Sequence, residues 1–379
     1  MYAFVARLLA GIRASVASLP PPPAATAAPS LTALSRAAAD EAAYVAGPAF
    51  KDYAPRTFQA IRTASGVSEH DYLDSLTGQT VLAAVPSPGK SKATLYFSHD
   101  YKYILKTIKS AEKDALLRML PEYAAHIVDS SAESLVAPGG LGTAHYPAGF
   151  SLRPTRHVYV VVMGNAFPPA LDIHARYDLK GSTVGRGARD PTDPFTVRKD
   201  LDWVAARRRL AVGHTHAAAL AVQMRRDAAF LARAGMMDYS LLVGVHDLRR
   251  GNDMAALASP SSVAGEGRLE VLAATCMPNS HWIQPGRKKE TDQENANRTL
   301  PRVHAPGQMR SEDEAGQLGP ELYFVSIIDI LTPYNWTKRI EHVFKSVAHD
   351  SNAISAIRPD KYGKRFVAFM EKQVLRLSK

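Results

Sequence analysis

The residues most suggestive of chemistry lie in the first third of the chain. Lys106 sits in an apolar run, Tyr101-Lys-Tyr-Ile-Leu-Lys-Thr-Ile108, and Glu112 follows six residues later. Upstream is a turn rich in small residues, Ser87-Pro-Gly-Lys-Ser91. A fixed cation suits the phosphates of a nucleotide, and a carboxylate can hold that cation in place. The order of the parts is a phosphate-covering loop (Gly89, Lys90, Ser91), then a strand lysine, then a helix glutamate. Two commoner phosphate motifs fail. Gly89-Lys90-Ser91 would need a glycine at position 84, where the chain has Ala84. Gly140-Leu-Gly142 would need a third glycine at His145. The Walker loop and the dinucleotide-binding turn are thereby excluded.

The elements needed to position these residues are legible in the hydrophobic pattern. Ala93–Ser98 and Tyr101–Ile108 read as two strands joined by a turn at His99-Asp100. Ser110 is a candidate N-cap for a helix through Leu120, with Glu112 in its first turn and Leu116, Leu117 and Leu120 facing inward. Pro121 is expected to bend or end it. His157–Met163 and Glu321–Leu331 are continuous apolar runs that predict strands buried on both faces. A proline-free stretch rich in Ala, Leu and Arg predicts helix from about Leu201 to Ala234, with Arg207-Arg-Arg209 on its solvated face. No internal repeat is present.

Composition narrows the class. Of 379 residues, 46% are apolar and 22% charged, as in a globular chain with an ample core. No apolar run approaches the ~20 residues a membrane-spanning helix requires, so a soluble or peripheral protein is expected. The net charge of +10 favours a polyanionic partner: nucleic acid, an acidic membrane or phosphorylated ligands. Without zinc-finger spacing or an RRM-type aromatic motif, nucleic acid falls to the bottom of that list. The lone Cys276 rules out an internal disulfide and any multi-cysteine metal site, and suits a reducing compartment.

Three longer motifs then fall in order: Tyr177-Asp-Leu-Lys-Gly-Ser-Thr-Val-Gly-Arg186, Met237-Asp-Tyr-Ser-Leu-Leu-Val-Gly-Val-His246 and Ile327-Ile-Asp-Ile-Leu331. Together with Lys199-Asp-Leu-Asp202 and Val161-Val-Met-Gly-Asn165, they make the chain resemble the phosphatidylinositol phosphate kinases from about Lys51 to Met370, type I enzymes most of all. The resemblance implies an α/β (α+β) catalytic domain of two lobes, distantly related to protein kinases, with an antiparallel sheet in the N-lobe. It implies ATP and Mg2+ as cofactors and roles by position. Lys106 contacts ATP phosphates and Glu112 is its partner, with Asp114 as the substitute. Val162 to Asn165, Met163 included, form the hinge around the adenine. Lys180 approaches the transferring phosphoryl group, Asp238 lies in the catalytic loop and Asp329 holds magnesium. Asp178 and Ser182 either act directly or shape the loop that carries Lys180; Arg186 is either a phosphate ligand or a solvated charge.

The chain departs from the protein-kinase pattern at Val243, where a metal-binding asparagine is expected, so any second metal ligand comes from elsewhere. Lys92 makes the phosphate loop less small-residue-rich than in the family. After Asp329 the resemblance places a substrate-selecting segment. Glu341 matches a position where type I enzymes carry glutamate and type II enzymes alanine, which implies phosphatidylinositol 4-phosphate as substrate and its 5-hydroxyl as acceptor. Lys338-Arg339 occupies the place of a dibasic pair; beside Trp336, Val343 and Phe344 it suits shallow insertion into an anionic membrane. Arg358 and Lys361 are candidate contacts to lipid phosphate. The expected setting is cytoplasmic and peripheral, at the cytosolic face of the plasma membrane or another membrane, and a homodimer is allowed.

Residues 1 to about 48 read as a low-complexity or targeting tail: four prolines at Pro20–Pro23, and no acidic residue before Asp40. A transit peptide, a short amphipathic anchor and a disordered tail are all compatible with it. The catalytic domain is expected over 49–379, with the N-lobe to about 165, the C-lobe from about 166, and a disordered insertion over about 279–320. The rival readings are a type II-like kinase acting on phosphatidylinositol 5-phosphate, a kinase acting on protein or soluble inositol phosphates, and a noncatalytic membrane-binding scaffold. The hydrophobic-basic segment after Asp329 disfavours soluble substrates, and retention of Lys106, Lys180, Asp238 and Asp329 disfavours a scaffold.

Overall fold

The computed structural model describes residues 2–20, 44–45, 50–78, 83–86, 93–130, 133–136, 139–146, 156–252, 307–334 and 358–375. Two sheets organise it. The first has seven strands: β1 (Tyr44–Val45), β2 (Phe50–Asp52), β3 (Ala83–Pro86), β4 (Thr94–Phe97), β5 (Tyr103–Ile108), β6 (Gly139–Tyr146) and β7 (Arg156–Gly164). Their order is β1-β2-β6-β7-β5-β4-β3, antiparallel throughout. The second sheet has β8 (Ala175–Leu179), β9 (Val197–Arg198), β10 (Ser240–Asp247), β11 (Gln308–Glu312) and β12 (Leu318–Ile328), in the order β11-β12-β10-β8-β9. Among the described strands only β8 and β9 pair in parallel.

Side-chain alternation along β5 gives the first sheet two different faces. Leu105 points to the back, where it clusters with Tyr96, Val160 and Val162. Helix α1 (Tyr2–Ser18) covers that face with Phe4, Val5, Leu8, Leu9 and Ile12. The expectation of a disordered tail therefore does not describe Tyr2–Ser18. The apolar stripe that suggested an anchor is buried against the sheet, which on transfer grounds stabilises by roughly 1.5–3 kcal/mol for each large side chain. Arg13 fastens the helix further, donating to the Thr77 carbonyl at 2.6 Å. Helices α2 (Pro55–Ala64) and α3 (Glu69–Thr77) flank it, joined by a buried Arg62–Glu69 ion pair.

On the opposite face, helix α4 (Ser110–Asp129) follows β5 directly. It continues past Pro121 instead of ending there. Met119, Leu120, Tyr123, Ala124 and Ile127 carry its buried stripe past the proline, and that packing outweighs the one backbone hydrogen bond proline cannot make. The helix predicted over Leu201–Ala234 is instead two: α5 (Asp200–Ala205) and α6 (Gly213–Arg233). Left-handed backbone at Arg207 (φ 50°) and Gly213 (φ 68°) breaks it. Arg208, placed on a solvated helix face by the sequence, lies in that break and pairs with Glu321 at 2.7 Å.

Helix α7 (Pro359–Phe369), continued by a π turn to Leu375, packs along α6 and closes the second sheet's helical layer. Tyr362 lies within it and donates its hydroxyl hydrogen bond to the Tyr239 carbonyl. Residues 307–320, expected inside a disordered insertion, form β11 and the start of β12; residues 253–306 lie outside the described residues. Among the described residues no helix is long and apolar enough to cross a membrane.

Candidate active site

Strand register brings three site residues to one end of the second sheet. Leu179 at the end of β8 pairs with Leu241 of β10, and Ser240 at the start of β10 pairs with Ile328 at the end of β12. Lys180 and Asp329 therefore emerge one residue beyond their strands, on either side of Asp238, which enters β10. The loop before β10 is stitched to the segment after Asp329: Met237 N donates to the Thr332 carbonyl, and Met236 bridges Pro333.

Both acids adopt left-handed backbone, Asp238 at φ 64° and Asp329 at φ 60°. Aspartate tolerates this region better than most side chains, but it is still a sparsely populated conformation. Sparsely populated backbone of this kind clusters at functional sites, and two instances fall here at neighbouring strand ends.

The four charged groups named from the sequence converge here. Lys180 Nζ donates to both the carbonyl and Oδ1 of Asp238, the latter at 3.0 Å. Lys106 reaches across from the first sheet and donates to Asp329 Oδ1 at 2.7 Å. Enclosure in the cleft pushes the Asp329 carboxyl up, yet Lys106 and, more weakly, Lys180 bring it below the usual carboxylate range. Strand register sets Lys180 and Asp329 on either side of Asp238. The cleft holds two cations and two carboxylates drawn from both sheets.

Glu112 does not hold Lys106. It is the third residue of α4, and its Oε2 turns back to accept from Lys109 N at 2.7 Å, as a capping-box carboxylate does. Asp114 is taken by Lys113 at 2.6 Å. The carboxylate opposite Lys106 is Asp329, 223 positions away in sequence.

The cleft-side face of the first sheet is apolar next to Lys106. Leu95 is its register partner on β4 and Val161 on β7; Ile104 and Phe97 pair one step along, and Met163 packs on Ile104. Just beyond β7, where a hinge was expected, Asn165 is used by the fold itself: Nδ2 donates to the Tyr101 carbonyl, and Oδ1 accepts from Phe167 N. Gly89, Lys90, Ser91, Lys338, Arg339 and Glu341 lie outside the described residues. Arg358 stands at the start of α7, exposed and 3.4 Å from Asp360.

The Lys180 loop has a support that sequence reasoning did not single out. Asp200, 1% exposed, accepts from the backbone N–H of Lys180 (2.9 Å), Gly181 (2.7 Å) and Ser182 (3.3 Å). Its other oxygen accepts from Arg186 Nε at 2.6 Å. Arg186 also donates to Asp178, so it is neither a free phosphate ligand nor a solvated charge: it ties two acids to the loop. Burial opposes the charge on Arg186, but Asp178 and Asp200 more than offset it and hold the guanidinium above its usual value. Gly181 turns at φ 68°, and a Cβ there would sit 3.0 Å from Phe369 of α7, so the turn requires glycine. Arg365 of α7 adds a buried cation in electrostatic reach of Asp200 and Asp238, with burial keeping it below its usual value.

No three His, Cys, Asp or Glu side chains among the described residues form a metal cage. Asp329 alone still fits magnesium, which takes one or two carboxylates and completes its shell with substrate phosphates and water.

The sequence model of the phosphatidylinositol-4-phosphate 5-kinase family matches residues 76–373. The chain is 34% identical over 346 residues to phosphatidylinositol 4-phosphate 5-kinase its3 of Schizosaccharomyces pombe, covering 86% of this chain and 46% of that protein. It is 31% identical to phosphatidylinositol 4-phosphate 5-kinase 7 of Arabidopsis thaliana, covering 85% of this chain and 48% of the relative. It is also 31% identical to phosphatidylinositol 5-phosphate 4-kinase type-2 alpha of Gallus gallus, covering 85% of this chain and 77% of that enzyme. The chain spans about half the length of the first two relatives.

Proposed function

From the premise that this chain belongs to the phosphatidylinositol-4-phosphate 5-kinase family, we propose that it transfers the γ-phosphoryl group of ATP to the 5-hydroxyl of phosphatidylinositol 4-phosphate. The observation that carries the proposal is the convergence of Lys106, Lys180, Asp238 and Asp329 in one cleft beside an apolar sheet face. Phosphoryl transfer demands charge neutralisation and in-line placement more than covalent help, and these groups supply both.

In this mechanism the base lies against Leu95, Ile104 and Met163. Lys106 leaves its contact with Asp329 for the nucleotide's phosphates. Lys180 neutralises charge on the transferring group. Asp238, held by Lys180, orients the incoming hydroxyl and accepts its proton. Asp329 would hold magnesium, which when bound offsets the charge of the triphosphate. Partial enclosure of these groups strengthens their interactions relative to water.

Glu341 and the 4-phosphate 5-kinases among the relatives support the 5-hydroxyl as acceptor. The type-2 relative, whose length this chain matches more fully, supports a 5-phosphate lipid as the second reading. The test is product analysis after incubation with ATP and vesicles carrying either monophosphorylated lipid. Preferred turnover of the 4-phosphate lipid is expected; preference for the 5-phosphate lipid would overturn the assignment. The same reading places the protein at an anionic membrane surface through Lys338 and Arg339. Charge reversal of both should lower vesicle binding and lipid turnover together, and unchanged binding would refute that role.

A further inference from the structure

Outside the charged cleft, one carboxylate ties together segments that adjoin the two ends of its central ion pair. Asp227 lies on α6 with no exposed surface. Its Oδ1 accepts from Ser134 Oγ at 2.9 Å and Gln223 Nε2 at 2.9 Å, and lies 2.6 Å from His126 Nε2. Its Oδ2 accepts from Leu135 N at 2.9 Å. His126 belongs to the last turn of α4, the helix that continues from the Lys106 strand, and its ring stacks on Phe230 at 4.6 Å. The segment 133–136 leads to β12: the Leu135 carbonyl accepts from Ile327 N at 2.8 Å and Ser326 Oγ at 3.0 Å, and Val136 bridges Ile327 in parallel. Ile327 stands two residues before Asp329.

We propose that Asp227 is a positioning residue for the nucleotide site: it fixes the strand that delivers Asp329 relative to the helix that continues from Lys106. The inference rests on the reading that Lys106 and Asp329 serve the nucleotide. The physical reason is economy of contact. A fully buried carboxyl engaging four groups from three chain segments holds them more rigidly than the same bonds made to separate partners, because all four are fixed to one immobile centre. Displacing the Leu135 carbonyl would let Ile327 move, and a shift of ~1 Å in Asp329 is enough to change the rate by ~10²-fold.

The experiment uses the full chain with Asp227→Asn, and Ser134→Ala as the milder variant should the first fail to fold. Three quantities are read: the melting temperature, kcat and lipid KM on phosphatidylinositol 4-phosphate vesicles with radiolabelled ATP, and hydrogen exchange at the Ile327 amide. Asp227→Asn should lower kcat at least about tenfold with lipid KM unchanged, and the Ile327 amide should lose protection. In an Asp329→Asn background the same change should cause no further loss in kcat, although the melting temperature falls by the same amount as in the wild type. Losses in kcat that multiply across the two backgrounds, or unchanged protection at Ile327, would overturn the proposal. A wild-type protein that turns over no lipid would sink the proposed function instead, and the Ile327 exchange would then decide the role of Asp227 by itself.

Discussion

Replacing Asp200 with asparagine separates shape from charge at the support of the Lys180 loop. Asparagine can keep one oxygen for the three backbone N–H groups of Lys180, Gly181 and Ser182. Its amide nitrogen must then face Arg186 Nε, now 2.6 Å from Oδ2, where two donors meet. One charge-assisted hydrogen bond is lost, about 1.5–3 kcal/mol, while Arg186 keeps Asp178. A comparable loss in unfolding free energy is expected by denaturant titration. Asp200→Ala should cost more, about 3–5 kcal/mol, because a buried cation and three amides lose their acceptor together. For activity, the loop needs to drift only ~1 Å for Lys180 to leave its seat on Asp238, which corresponds to ~10²-fold in kcat. The assay is steady-state turnover on lipid vesicles at saturating ATP, beside a melting curve. An Asp200→Asn protein that is destabilised yet keeps kcat within about threefold would show that Lys180 is held by something else, and would refute the reasoning.

Other perturbations test other parts of the account. Leu8→Ala, at a side chain 1% exposed under α1, should destabilise by about 2–5 kcal/mol; an unchanged denaturant midpoint would contradict the packing of α1 on the sheet. Gly244→Ala would place a Cβ 2.4 Å from the Phe167 ring beside the hinge and should cost about 1–3 kcal/mol; a neutral result would contradict that packing. The lowered pKa of Asp329 has a defined sign: its ionised form stabilises the fold above the ordinary carboxylate range, and that contribution disappears as pH falls through its lower folded value. The stability of the wild type relative to Asp329→Asn should therefore increase from about pH 3 to about pH 5, by less than about 1 kcal/mol because the pair is partly exposed. A gap that narrows over this range would contradict the Lys106–Asp329 pairing.

What the sequence revealed follows the range of the forces involved. Strands β4, β5, β7 and β12 were readable because runs such as Val160-Val161-Val162 and Tyr323-Phe324-Val325 are both apolar and β-prone. Lys106, Lys180, Asp238 and Asp329 could be named because their motifs are local. Their partners were not local. Glu112 was paired with Lys106 by analogy of order, but a glutamate at the third position of a helix is drawn to its own N-terminus, and the true partner comes from the far end of another sheet. Asp200 stood in a recognised motif, yet its role depends on a loop about twenty residues upstream folding over it, and nothing local signals that. Asp227 gave no signal at all, being one acid in an Ala-rich helix. The break between α5 and α6 and the continuation of α4 past Pro121 were decided by tertiary packing, which overrides propensity in both directions.

The central claim is that cations from two sheets and two acids form one phosphoryl-transfer site, and the most direct test is single-turnover transfer of radiolabelled phosphate from ATP to phosphatidylinositol 4-phosphate in vesicles. Wild type, Lys180→Met and Asp329→Asn would be compared at matched folded fractions. The account expects each substitution to slow transfer by ~10²-fold or more. Transfer by either variant at close to the wild-type rate would contradict it.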